Sequence, residues 1–127
     1  MELEKIEISG LNDIYACAAV QKEFRKAVDE PWKEVPPWLR YQKKLLQDLA
    51  VLDDYKENAI IFPQYERLST EEKLYSIRHP ETPKNVRVIY TITEGVVILL
   101  HAFLEKNDGD YQKAIRVAKK RLERIES

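Results

Sequence analysis

Cysteine, glycine and histidine are scarce in this chain, and each scarcity excludes a class of site. The 127 residues include one cysteine, three glycines and two histidines. A single cysteine, Cys17, cannot form an internal disulfide, and no Cys and His residues have the spacing of a zinc site. Three isolated glycines provide no glycine-rich loop for a nucleotide phosphate. Disulfide scaffolds, zinc modules and phosphate-loop proteins are therefore excluded.

Long apolar runs are also missing. The longest clean run, Val96–Leu100, is far shorter than the roughly 18 residues that span a bilayer. The first ten residues lack the pattern of a signal peptide, and a lone free cysteine is typical of a reducing compartment. We therefore expect a cytoplasmic protein. With 44% hydrophobic and 34% charged residues, the sequence indicates a single globular domain over 1–127.

Charge is nearly balanced over the whole chain, but its distribution is uneven. The net charge of −1 argues against an all-over basic nucleic-acid binder. Residues 84–127 carry nine Lys and Arg against six Asp and Glu, so the positive excess lies in the second part. This asymmetry permits one basic face.

The first half of the chain predicts one strand and two helices. Residues 2–8 fit a short strand. A helix with Asn12 or Asp13 as N-cap is predicted to run to about Asp29. A second helix is predicted to open at Pro36-Pro37 and to continue to about Tyr55. Residues 56–70 are interpreted as mostly loop, although the segment AIIFP is compatible with an edge strand.

The second half predicts three strands and a helix. Strands are expected over 73–79, 86–93 and 96–103, with a tight turn at Glu94-Gly95 between the last two. A helix is expected over 111–125, capped by Asp110. The predicted order is β-α-α-β-β-β-α. This order indicates an α+β fold, in which a small antiparallel sheet carries an N-terminal helical hairpin and a C-terminal helix.

Arginines stand on two of the predicted strands. Arg87 lies between Val86 and Val88, and Arg78 ends the preceding strand. Because burying an unpaired charge is costly, each guanidinium must meet solvent, a carboxylate or an anionic ligand. A salt bridge to an acid on a neighbouring helix and a contact to a phosphate both satisfy this requirement.

Other polar groups in the same region allow a structural or a functional interpretation. His101, inside LLHAF, fits a hydrogen-bonded core residue or a proton-transfer group, and His79 stands at a strand end. Tyr90 alternates with apolar residues and fits core packing. The last helix has a basic face, either solvated or suited to RNA or an acidic partner. That face comprises Lys113, Arg116, Lys119, Lys120, Arg121 and Arg124.

Four segments, taken in order, resemble the RelE/ParE superfamily of toxins from prokaryotic type II toxin–antitoxin systems, and most of all its HigB-like, phage-derived branch. The segments are LYSIR (74–78), NVRVIY (85–90), VVILLHAFLEK (96–106) and AIRVAKKRL (114–122). The predicted elements that precede them fit the RelE-like fold of that superfamily.

The resemblance implies a ribosome-dependent mRNA endonuclease that needs no metal or other cofactor. Its implied partners are the ribosome, mRNA and an adjacently encoded antitoxin of helix-turn-helix type. No association with a membrane is implied. By motif position, Arg78 and Arg87 would stabilise the phosphate. Lys106 would contact the RNA backbone or assist in stabilising the charge on the phosphate. Proton transfer would fall to His101, Tyr90 or His79. The implied RNA-binding residues are His79, Lys84, Lys113 and Lys120.

The sequence departs from the family pattern at several positions. Glu105-Lys106 stands where the family has two lysines, and two more acids follow within 107–110. Ser76 replaces a glutamate of the first motif. These changes leave an alternative open, in which the chain is a catalytically weak or silent module of the same fold that binds a protein partner.

Overall fold

Six strands and three α-helices make up the described part of the chain. The computed structural model describes residues 3–6, 10–29, 37–68, 73–78 and 85–126. In chain order the elements are β1 Leu3–Lys5, β2 Ile14–Cys17, α1 Val20–Asp29, α2 Pro37–Tyr55, a 3₁₀ helix Lys56–Ile61, β3 Tyr65–Arg67, β4 Tyr75–Arg78, β5 Val86–Thr93, β6 Val96–Leu104 and α3 Asp108–Glu126. The predicted α+β class is confirmed. None of the described helices combines the length and apolarity needed to cross a membrane.

The strands form one mixed sheet in the order β1-β2-β6-β5-β4-β3. All neighbours are antiparallel except β2 and β6, which are parallel. The central strands β5 and β6 are joined by Glu94 and Gly95, whose φ angles are 49° and 78°. Two successive positive φ angles are characteristic of a type I′ turn, the hairpin turn that glycine favours. The predicted tight turn is therefore confirmed.

A β-bulge interrupts the pairing of β5 with β6. Ile89 lies opposite His101, whereas the next residue, Tyr90, lies opposite Leu99. Leu100 is therefore an extra residue on β6. Since side chains alternate between the two faces of a sheet, this extra residue places His101 and Leu99 on opposite faces.

The region expected to begin the first helix is instead a strand. Ile14–Cys17 pairs with Val97–Leu99 of β6, and helix α1 starts only at Val20. The backbone N–H groups of Asn12 and Asp13 donate to the buried carboxylate of Asp53, at 2.9 and 2.8 Å. Pairing with the central strand buries Ile14, Ala16 and Cys17 together. Tertiary pairing thus overrides the helical spacing of this segment.

Two further expectations need correction. Residues 56–70 contain ordered elements, because the 3₁₀ helix includes most of AIIFP and Tyr65–Arg67 forms an edge strand. Helix α3 begins at Asp108, and Asn107 is its N-cap. The Asn107 side chain accepts from the Asp110 N–H at 3.1 Å, and the Asp110 carboxylate accepts from the Asn107 N–H at 3.2 Å. This reciprocal pair is a capping box, in which Asp110 is the third helical residue.

The apolar stripes of α2 and α3 lie where the spacing predicts. Tyr41, Leu45, Leu49 and Leu52 of α2 are buried, as are Ala114, Ile115, Ala118 and Leu122 of α3. The Tyr65 hydroxyl donates to the Asp48 carbonyl at 2.6 Å, which ties strand β3 to α2.

Candidate functional site

Strand register brings the candidate residues onto one face of the sheet. Arg78 lies opposite Arg87, and Arg87 lies opposite Phe103 on β6. Two residues further along each strand, Ser76 lies opposite Ile89, and Ile89 lies opposite His101. Because opposed side chains share a face, these six residues lie together. We call them the arginine face.

Arg87 is buried within a network of hydrogen bonds and ion pairs. Its Nη1 donates to Glu66 at 3.0 Å, its Nε donates to Glu105 at 3.1 Å, and Nη1 lies 3.4 Å from the Ser76 hydroxyl. The guanidinium carbon lies 4.6 Å from the centre of the Tyr111 ring. Arg87 therefore forms salt bridges, but its acids come from β3 and from the residue after β6 rather than from a neighbouring helix.

Neighbouring groups hold those two carboxylates in place. The Tyr111 hydroxyl donates to Glu66 at 2.9 Å, and the Asn85 side-chain amide donates to Glu105. Burial raises the pKa of Tyr111 to about 12, so the phenol stays protonated and remains a donor. The Glu66 side chain is 41% exposed, which makes this carboxylate the solvent-facing part of the network.

Arg78 has a different environment from Arg87. Its side chain is half-buried, and its Nε is buried without a hydrogen-bond partner among the described residues. Like charges directly opposite each other on a sheet repel. An anion placed between Arg78 and Arg87 would relieve that repulsion and supply the missing acceptor.

His101 belongs to a second network, which joins α1, β6 and α3. Glu23 of α1 accepts two hydrogen bonds from Arg121 of α3, both at 2.8 Å. Its second oxygen lies 3.0 Å from His101 Nδ1. Arg121 also donates to the carbonyl of the bulge residue Leu100, at 2.7 Å.

The charge of Glu23 is stabilised by this network. Burial alone would raise the pKa of Glu23, but the hydrogen bonds from His101 and Arg121 lower it from 4.5 to about 2. The carboxylate is therefore ionised at neutral pH.

A cavity of about 310 Å³ adjoins the His101 network. It lies beside the second half of β6, beyond Leu99, where pairing with β2 ends. Its polar lining combines Glu23 and His101 with Lys26, Lys106 and Asp110. Lys106 and His101 therefore line the same cavity.

Aromatic rings connect the two networks. The His101 ring stacks on Phe103 with centroids 5.8 Å apart, and Phe103 meets Tyr111 edge to face at 5.7 Å. Tyr111 in turn lies beside Arg87.

Tyr90 is separated from the other candidates. It lies opposite Tyr75 and Leu99, on the other side of the sheet from His101, because of the bulge. Its ring is fully buried and stacks on Tyr75, with centroids 5.2 Å apart. Burial raises the pKa of Tyr90, and its hydroxyl has no partner among the described residues. This placement matches the core-packing interpretation of Tyr90.

The remaining RNA-binding candidates lie apart from the arginine face or outside the described residues. Lys113 and Lys120 are exposed on α3. His79 and Lys84 lie outside the described residues. Arg121 was assigned to the basic surface of α3, but it points inward to Glu23. In the described ranges, no cluster of three or more His, Cys, Asp or Glu side chains suits a metal ion.

Several residues of the two networks are not predicted as site residues by the sequence, among them Glu23, Glu66 and Arg121. Glu66 was assigned to a loop, and Glu23 and Arg121 appear in sequence as ordinary charges on helices. The Glu23–Arg121 pair spans 98 positions of the chain, so no local pattern signals it.

Comparisons with known proteins give one sequence match and one structural match. The model of the family described as phage-derived protein Gp49-like (DUF891) matches residues 32–123. No curated protein matches the chain in sequence. The structure of a double mutant of the E. coli toxin RelE in the free state is similar to this chain, with 17% identity and a TM-score of 0.49. That match covers 84% of this chain and 96% of the RelE chain.

Proposed function

Since this chain belongs to the Gp49-like family of phage-derived proteins, we propose that it is the toxin of a type II toxin–antitoxin pair, of the HigB-like branch. Its activity is metal-independent cleavage of mRNA on the ribosome, and it inhibits translation. An adjacently encoded antitoxin binds it and holds it inactive. The sequence motifs of the three central strands and α3 support this proposal.

The observation that carries the proposal is the pairing of Arg78 with Arg87 on the arginine face. The two residues are directly opposed on β4 and β5, and the buried Nε of Arg78 has no hydrogen-bond partner among the described residues. His101 is the diagonal neighbour of Arg87, which places their Cα atoms about 7–8 Å apart. Two guanidinium groups beside an imidazole suit a phosphodiester at which charge develops during reaction.

RNA cleavage without a metal uses the substrate's own 2′-hydroxyl. The 2′-oxygen bonds to phosphorus while the bond from phosphorus to the 5′-oxygen breaks, and its electron pair remains on the 5′-oxygen. A base takes the 2′-hydroxyl proton, and the 5′-oxygen takes up a proton. Arg78 and Arg87 stabilise the charged phosphorane, while Lys106 contacts the RNA backbone. DNA lacks this hydroxyl, so the reaction is selective for RNA.

The two carboxylates on Arg87 favour a second candidate function. Glu66 and Glu105 together offset the charge of Arg87, so a phosphate must compete with them. If it cannot, the chain is a silent module of the same fold that binds a protein partner.

Expression in a bacterial host tests the proposal. Growth and mRNA 5′ ends would be followed for the wild type, for Arg78→Ala and for Arg87→Ala. Arg25→Ala is the matched control, because Arg25 is an exposed arginine on α1, away from the basic face of α3. Arg78→Ala is the more informative variant, since Arg78 makes no ion pair with a described residue that its loss would break.

We expect growth arrest and new 5′ ends within coding regions for the wild type and for Arg25→Ala, and their loss in Arg78→Ala and Arg87→Ala. Arrest that persists in both variants would show that the assigned site is wrong. Normal growth with intact mRNA and folded wild-type protein would favour the silent binding module.

A further inference from the structure

The network of Glu23, His101 and Arg121 has a chemical consequence that the motif positions do not assign. Glu23 lies on α1, outside all four segments that resemble the toxin superfamily. We propose that Glu23 is a positioning residue that fixes His101 in the tautomer with the proton on Nδ1, so that Nε2 is the proton-accepting atom of the site. The catalytic role given to Glu23 rests on the proposed function. The proposed tautomer of His101 does not depend on it.

The first step is the contact between Glu23 and His101. A carboxylate oxygen and a ring nitrogen lie 3.0 Å apart, and both are acceptors unless the nitrogen carries a proton. Glu23 is ionised, so the proton must be on Nδ1. The neutral ring then carries its lone pair on Nε2.

The second step is the position of Nε2. His101 lines the cavity beside β6, and its side chain is 15% exposed. Nε2 has no hydrogen-bond partner among the described residues, so a ligand in the cavity can reach it. Lys26 and Lys106 line the same cavity together with the acids Glu23 and Asp110, and the charge of Glu23 is already paired with Arg121. In the proposed reaction the two lysines contact the RNA phosphate that Nε2 faces.

The third step is the role of Arg121. It holds both Glu23 oxygens and also the carbonyl of Leu100, the extra residue of the bulge. Leu100 therefore has two roles. As the extra residue of the bulge it places His101 on the arginine face, and its carbonyl accepts the hydrogen bond that holds Arg121 beside Glu23. Glu23 has little freedom to rotate away from His101 because both of its oxygens are bound.

In the proposed reaction, Nε2 accepts the proton of the 2′-hydroxyl as the 2′-oxygen bonds to phosphorus. The ring becomes an imidazolium whose charge Glu23 stabilises across Nδ1. It then releases the proton to solvent, and the departing 5′-oxygen takes up a proton from solvent. The role proposed for Glu23 is exerted through His101, whose tautomer and charge it sets.

Nitrogen-15 NMR of the two ring nitrogens tests the tautomer without any RNA. In a His79→Asn background, His101 is the only histidine, so its signals need no further assignment. We expect a protonated Nδ1 and a bare Nε2 in the neutral ring. In Glu23→Gln, the amide can donate to Nδ1, so we expect the proton to move to Nε2 in a substantial fraction of molecules.

Two further variants keep the test decisive. Glu57→Gln removes one exposed carboxylate on the 3₁₀ helix and should leave the His101 tautomer unchanged. If Glu23→Gln fails to fold because Arg121 is left unpaired, the double variant Glu23→Gln/Arg121→Gln removes both charges and should show the same change of tautomer.

The outcomes separate this inference from the proposed function. A folded Glu23 variant with an unchanged His101 tautomer overturns the inference, whatever the enzyme does. A changed tautomer supports it, even if the wild type cleaves no RNA, in which case only the proposed function falls. If the wild type does cleave RNA, Glu23→Gln should lower kcat at least tenfold with little change in KM.

Discussion

At the scale of single residues, Arg78 and Arg87 both lie on strands and are directly opposed, but their side chains have different environments. The sequence predicts that a strand arginine must find an anion, and Arg87 does so. Its acids could not be chosen from the sequence, because Glu66 and Glu105 lie 21 and 18 positions away. Within the described part of the chain, Arg78 Nε has no hydrogen-bond partner, which distinguishes Arg78 from Arg87.

Glu105 controls how strongly Arg87 is neutralised, so its charge can be tested directly. Glu105→Gln keeps an acceptor for Arg87 and removes one negative charge from the arginine face. We expect affinity for single-stranded RNA to rise about two- to fivefold at low salt, the size of a modest ion-pair effect. Fluorescence anisotropy would measure this, with Glu57→Gln as the equal-charge control. Equal affinities for the two variants would contradict the role given to Glu105.

Tyr90 provides a test of which side of the sheet matters. Tyr90→Phe removes a buried hydroxyl that has no partner among the described residues, so the free energy of unfolding should be unchanged or rise by up to about 1 kcal/mol. RNA cleavage should be unaffected, because Tyr90 faces away from the arginines. Urea unfolding and a cleavage assay would measure both. A large loss of activity in the folded variant would restore Tyr90 as a catalytic candidate.

At the scale of secondary-structure elements, local signals predicted some elements and tertiary pairing decided others. The α2 stripe, the β5–β6 hairpin and its turn follow from spacing and from Glu94-Gly95. Strand β2 could not be predicted in the same way, because Ile14–Cys17 is held extended by pairing with β1 and β6. The bulge at Leu100 carries no sequence signature, yet it decides which face His101 joins.

Glu23 ties α1, β6 and α3 together, and the pH dependence of stability should show it. Its pKa of about 2 lies below the ordinary value of 4.5, so its contribution is complete above pH 4.5 and is lost as pH falls toward 2. The full contribution is roughly 3 kcal/mol. The stability difference between wild type and Glu23→Gln should therefore shrink between pH 6 and pH 2.5.

Urea unfolding of both proteins at several pH values would measure this difference. The lowered pKa of Asp53 also costs stability in acid, but both proteins share Asp53, so its effect cancels. A difference that stays constant with pH would show that Glu23 is not held as its contacts indicate.

At the scale of the whole molecule, two networks lie side by side on a sheet of a protein with net charge −1. One presents paired arginines with their acids, and the other presents an imidazole beside a lysine-lined cavity. Phe103 and Tyr111 pack between them. Lys113 and Lys120 are exposed on α3. Under the proposed function, a longer RNA would pass along this helix.

The most direct test of the central claim is cleavage of mRNA by the purified protein, with and without programmed ribosomes. We predict cleavage only on the ribosome, with a 2′,3′-cyclic phosphate on one fragment and a 5′-hydroxyl on the other. Arg78→Ala should lower the rate about 100-fold, the usual cost of losing one group that stabilises developing charge. Intact mRNA on ribosomes with an excess of folded wild-type protein, or a rate unchanged by Arg78→Ala, would contradict the account.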